Sequence, residues 1–131
     1  MKLLRFGNRG QEKPGALDSE GQIRDLSGVV ADIAGAALLP DSLERLREID
    51  LHTLPLVTGS PRLGPCAGSV GKFLCIGLNY SDHAAESGMA VPAEPVIFMK
   101  ATSAICGPND NVVIPRVTED RLGGRTRCRD R

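Results

Sequence analysis

Between Pro55 and Gly68 the chain is broken up by Pro55, Gly59, Pro61, Gly64, Pro65 and Gly68. Proline fixes its own backbone angle and lacks an amide donor, while glycine leaves the backbone loose, so this alternation supports no long helix or strand. The segment therefore divides the 131 residues into two small units, an N-terminal module over 1–54 and a second unit from 69 onward, with 55–68 as a linker. Neither unit is long enough for a large core.

The aromatic set is Phe6, Phe73, Tyr80 and Phe98, with no tryptophan, so a core must rest on Leu, Ile, Val and Ala. A formal net charge of zero leaves no electrostatic footprint for nucleic acid. Cys66, Cys75, Cys106 and Cys128 form no CxxC pair and no zinc spacing. Cys75 and Cys106 sit in apolar runs, where a buried free thiol is expected. The N-terminus turns polar after four residues, unlike a signal peptide, and no apolar run is long enough for a membrane span. The expected location is a reducing cytoplasm, with no nucleic-acid or membrane partner.

Local patterns predict an α+β, β-rich fold. Lys2 to Phe6 reads as a strand, Gly7 to Gly15 as turn-rich, and Ala16 to Leu26 as a hairpin with Ser19-Glu20-Gly21 at its tip. Asp41 and Glu44 make a capping box, and Leu43, Leu46 and Ile49 at helical spacing predict a helix over 42–49. The second unit reads as a strand over Lys72 to Gly77 and a polar turn. A short helix follows around Asp82 to Ser87, stopped by Gly88. A strand over Val96 to Met99 precedes Thr102 to Cys106. Gly107 to Asp110 is a turn, and Asn111 to Ile114 starts another strand.

The chemical signal lies in Phe73 to Lys100. His83 and Glu86 are three residues apart and share a helix face, so the carboxylate can orient the imidazole as a general base. The alternative is a solvated helix with an incidental histidine. Asn79 and Tyr80 either hold a substrate oxygen or cap the helix. Lys100 either binds a carboxylate or enolate, or is a surface lysine at a strand end.

The run IGLNYSDHAAESG, followed by EPVIFMKATSAICGPND and VVIP, resembles the fumarylacetoacetate hydrolase family. The N-terminal MKLLRFG, QEKPGALD and IRDLSGV resemble the small leading domain of its bacterial two-domain members. The resemblance covers residues 1–116. It implies a small N-terminal β/α module followed by the first strands of a mixed β-roll, incomplete here, over 69–116. It also implies a magnesium or manganese ion, a small anionic β-diketo or 2-oxo acid substrate, and a homodimer in complete members. Members of the family hydrolyse carbon–carbon bonds, decarboxylate or tautomerise enols. Candidate reactions are hydrolysis of 2,4-diketo-3-deoxy-sugar acids or acylpyruvates, oxaloacetate decarboxylation, and isomerisation of 2-hydroxyhepta-2,4-diene-1,7-dioate. A ureidoglycolate lyase-like member is an alternative. By the same resemblance His83 and Glu86 match the water-activating dyad and Lys100 a substrate-binding lysine. Leu78 to Gly88 matches a stretch that closes over substrate as a lid.

The family pattern continues after VVIPR with a segment like KTDWEVELGVVIG. Its two glutamates, with a later aspartate, bind the metal through hard oxygen donors. Here residues 117–131 read VTEDRLGGRTRCRDR, so the family's carboxylate ligands are absent. One choice of codons for this tail, read one base later, spells SPKTDWEVELGVVIG. A frameshift just after Arg116 is the expectation that follows, and with it a chain that is inactive alone and prone to aggregate. A non-catalytic interaction module using the N-terminal domain or the basic tail is the reading from a different class.

Overall fold

The computed structural model describes residues 1–113. Ile114 and the 117–131 tail with Cys128 lie outside the described residues. The fold is α+β.

Three strands, β1 (Lys2–Phe6), β2 (Lys13–Leu17) and β3 (Ile23–Asp25), form an antiparallel sheet in that order. Pairing Lys2 with Leu17 and Leu17 with Ile23 sets the register. The β2–β3 hairpin is organised by one carboxylate. Asp18 accepts from the amides of Glu20 and Gln22 and from Arg24 Nε at 3.0, 2.8 and 2.8 Å. The turn-rich stretch read over Gly7 to Gly15 is shorter than that, because β2 already begins at Lys13. Pro14 and Gly15, usually turn formers, sit inside a strand whose pairing overrides their propensity.

Helix α1 (Pro40–Arg47) begins earlier than the capping-box reading places it. Pro40 occupies its first turn, where a missing N–H costs nothing, and the cap residue Leu39 makes no side-chain bond. Asp41 thus lies inside the first turn, next to the positive end of the helix dipole, rather than capping it. The apolar face is as expected. Leu46 joins Ala16, Leu26 and Ile33 in the core, with Leu43, Ile49, Leu51 and Leu54 packed against it. Short 3₁₀ turns at Gly35–Leu38 and Leu51–Thr53 flank the helix.

Residues 55–68 run along both edges of this sheet. The Asp25 amide donates to Pro55 and the Val57 amide to Ile23, which covers β3. The Gly7 amide donates to Arg62 and the Gly64 amide to Arg5, which covers β1. Single bridges, Arg24 with Leu56 and Phe6 with Leu63, mark the two places. A proline- and glycine-rich strap of this kind satisfies edge groups that would otherwise recruit another strand.

A chain of ion pairs lies under the strap. Arg5 bonds Asp32 at 2.6 Å and approaches Glu12 at 3.8 Å, and Arg62 bonds Glu12 at 2.9 Å and Asp110 at 2.6 Å. The Arg62 hydrogen bond, helped by the Gly107 amide, lowers the Asp110 pKa from 3.8 to about 2. A depressed carboxylate stabilises the fold above its ordinary value and loses that contribution as pH falls through the folded value. The pair is therefore expected to be intact at pH 5 and to weaken from about 4 down to about 2. A carboxyl-carbon NMR titration checks this, and an Asp110 midpoint near 3.8 contradicts it.

The remaining described elements are β4 (Phe73–Gly77), α2 (Ser81–Glu86) and β5 (Val96–Lys100), with a 3₁₀ turn at Thr102–Ala104. Among the described residues, β4 and β5 pair only with each other. Residues 111–113 are not in a strand, which corrects the described part of the expected Asn111 to Ile114 strand. Gly107 to Asp110 turns as expected, with the Asp110 amide donating to Gly107. Cys106 is exposed and Cys75 half-buried, so the expectation of buried thiols is corrected. The β4–β5 ribbon is too small to bury its own side chains, and Leu74, Ile97 and Met99 remain 58, 67 and 68% exposed. The purified chain is expected to bind a hydrophobic dye and to self-associate as its concentration rises. A sharp melt with no dye binding contradicts this. Among the described residues no helix is long and apolar enough to cross a membrane.

Candidate functional site

The candidate site is built where β4 gives way to α2. Strand β4 carries Phe73, Leu74, Cys75 and Ile76 into the ladder with β5, and Gly77 closes the register opposite Val96. The next residue, Leu78, has φ +49°, a left-handed backbone that costs a branched side chain free energy. The turn at Leu78 reverses the chain, so that exposed Asn79 and Tyr80 lead straight into the helix. The Ala84 amide donates to the Tyr80 carbonyl, and Ala84 is buried.

Helix α2 ends in a Schellman motif. The Gly88 amide donates to Ala85 and the Met89 amide to Ala84, with Gly88 at φ +65°. Glycine adopts that angle without a steric penalty, which explains why the helix stops there. Both ends of the Leu78 to Gly88 segment are thus fixed by left-handed residues. His83 and Glu86 lie one turn apart on the helix between them.

A hollow of about 430 Å³ opens beside this turn, lined by Gly77, Leu78, Asn79, Val91, Glu94 and Pro95 among others. Asn79 is thereby placed at a concavity large enough for a small organic acid. Glu94 shares it. No sequence signal marks Glu94, because a glutamate among prolines carries no periodic pattern.

Lys100 is placed differently. Antiparallel pairing sets it opposite Phe73, at the start of β4, whereas Asn79 follows the end of β4. Four residues of strand separate the two rows, roughly 13 Å. The Lys100 ammonium lies 5.9 Å from the centre of the Phe73 ring, within cation–π range. The fold therefore groups Asn79, Tyr80, His83 and Glu86 in sequence around one turn and helix, and puts Lys100 at the other end of the ribbon. Among the described residues no group of three or more His, Cys, Asp or Glu side chains is arranged to hold a metal ion. These residues do not fit a magnesium or manganese centre.

Comparison with known proteins adds an independent line. Residues 72–123 match the model of the fumarylacetoacetate (FAA) hydrolase C-terminal family. A protein of Burkholderia ambifaria, provisionally named a hydrolase, is 66% identical over 116 residues, which cover 88% of this chain and 41% of that protein. A counterpart in Burkholderia orbicola, also provisionally named a hydrolase, is again 66% identical over the same coverage. The chain thus spans about two fifths of the length of these relatives. Among solved structures, a Mycobacterium smegmatis protein provisionally named HpcE superposes with a TM-score of 0.60 at 28% identity, covering 88% of this chain and 41% of that one.

Proposed function

Because the chain belongs to the fumarylacetoacetate hydrolase family, we propose that it carries the proton-handling part of an enzyme acting on small β-diketo or 2-oxo acids, and does not complete that reaction alone. The observation that carries the reading is the strand–turn–helix segment from Phe73 to Gly88. His83 and Glu86 are one turn apart on α2, and Asn79, shortly before that helix, lines a hollow.

In this reading His83 takes a proton from a water molecule and Glu86 stabilises the imidazolium that results. The water's oxygen then adds to a substrate carbonyl, the neighbouring carbon–carbon bond breaks with its electron pair leaving on the enolate side, and the imidazolium returns its proton to the enolate carbon. Asn79 and Tyr80 hold a substrate oxygen. Lys100 enters through the family pattern, as a cation for the substrate's anionic group. Decarboxylation and enol isomerisation use the same substrate class and the same proton-handling pair.

In a complete member of the family a divalent metal would supply charge stabilisation for such an enolate. Its carboxylate ligands belong to the segment that the family pattern places after Arg116. Magnesium titrated into the 131-residue chain is therefore expected to give no saturable heat in calorimetry, and tight stoichiometric binding contradicts this. We attribute the departure of residues 117–131 from the family pattern to a frameshift.

Two measurements test the proposal. The DNA after the Arg116 codon should continue, one frame away, into the family's carboxylate-bearing strand. The frame-restored protein should then turn over acylpyruvates or related oxo acids with magnesium, and the 131-residue chain should not. A downstream sequence with no family pattern in any frame refutes the frameshift. An inactive frame-restored protein across that substrate panel refutes the reaction class.

A further inference from the structure

We propose that Arg62 is a latch that locks the Gly107–Asp110 turn onto the N-terminal sheet and so fixes the path of the chain as it leaves the β4–β5 ribbon. The residues involved lie outside the candidate site, and the inference does not depend on the reaction assigned to it.

Arg62 sits in the strap, held to β1 through its own carbonyl, which accepts from the Gly7 amide at 2.9 Å. Its side chain reaches in two directions. Nη1 donates to Glu12 Oε1 at 2.9 Å and to the Gly7 carbonyl at 3.2 Å, both on the loop between β1 and β2. Nε and Nη2 donate to the two oxygens of Asp110 at 2.7 and 2.6 Å. A two-pronged guanidinium–carboxylate pair fixes orientation as well as distance, which a lysine cannot do.

The Asp110 carboxylate is in turn tied to its own turn, since Oδ2 also accepts from the Gly107 amide at 2.8 Å. A second contact at the same place does not involve charge. Gly107 is buried, and a β-carbon built there would run into the Leu63 carbonyl of the strap. Only glycine lets the two backbones approach so closely. The turn is therefore held by a charged fork on one side and by close backbone packing on the other. Both partners, Arg62 and Leu63, come from the strap.

The latch joins parts of the chain that are 48 residues apart. It engages the first turn after β5 and the 3₁₀ segment. Whatever follows Asp110 thus starts from a point fixed relative to the N-terminal sheet, rather than from the free end of a ribbon. The N-terminal unit acts as a positioning element for the second.

Hydrogen exchange followed by NMR on the full chain tests this from both sides. In Arg62→Ala the Gly107 amide keeps its Asp110 acceptor, yet its exchange should quicken by about tenfold or more as the turn comes free. The Ala16 and Leu26 amides should keep their protection. Arg62→Lys, which retains charge but not the fork, should also release the turn. Asp110→Ala removes the partner without touching the N-terminal unit, and the Arg62 Nε proton should then lose its protection while residues 1–57 stay as they were. Unchanged Gly107 exchange in Arg62→Ala overturns the proposal. So does undiminished Arg62 Nε protection in Asp110→Ala, a result that holds even if the Arg62 variants fail to fold.

Discussion

In the frame-restored protein, His83→Ala is expected to lower kcat by about 10²–10⁴-fold, the span contributed by a positioned general base. The effect should fall on kcat, with KM little changed, because the substrate contacts assigned to Asn79 and Tyr80 precede the helix. Alanine is the strongest helix former, and the Schellman motif at Gly88 ends α2 independently of position 83, so the helix should survive the substitution. Glu86→Gln provides the companion test. Glu86 is the group assigned to stabilise the imidazolium, so removing its charge should also lower kcat, by less than the loss of the imidazole itself. Steady-state kinetics reads both effects. If His83→Ala retains the parent's kcat, the proton-handling role assigned to α2 is wrong.

The second large effect concerns stability, in a different part of the molecule. Leu26 is fully buried among Ala16, Ile33 and Leu46, and its amide donates to the Pro14 carbonyl. Leu26→Ala should cost about 2–5 kcal/mol, through lost transfer energy and the cavity left behind. A unit of this size has only roughly 4–10 kcal/mol in total, so most of its stability should disappear. Met99→Ala, on the exposed face of the ribbon, should change stability by less than about 0.5 kcal/mol. Urea melts followed by circular dichroism separate the two. Equal destabilisation by both changes would mean that the core does not lie between the N-terminal sheet and α1.

The N-terminal strand and hairpin were legible because alternation and turn residues act locally. Lys2 to Phe6 is the observed β1, and Ser19 to Gly21 form the hairpin tip. The α1 start was missed because Asp41 and Glu44 fit a capping box, while Pro40 is itself an accepted first-turn residue. The strap illustrates a different limit. Its prolines and glycines correctly indicate that no regular strand forms, but they do not reveal that isolated amides at Val57 and Gly64 pair with opposite edges of one sheet. Such pairing depends on where the sheet lies in space. The same applies to Lys100. Sequence order brings it after the helix, while antiparallel register returns it to the beginning of β4. Helix spacing singled out His83 and Glu86 as a pair one turn apart, and only the fold revealed that Asn79 and Glu94 share a hollow.

The strap also has a meaning for biosynthesis. Every hydrogen bond that closes the two edges of the N-terminal sheet comes from residues no later than Gly64. On the ribosome this unit can complete its sheet while the ribbon is still unmade, in keeping with the tendency of N-terminal domains to fold first during synthesis. Were the reading frame to shift after Arg116, the change would reach a nascent chain whose N-terminal sheet has the residues it needs to close. The exposed Leu74, Ile97 and Met99 of the ribbon would then be the surface such a product offers to other chains.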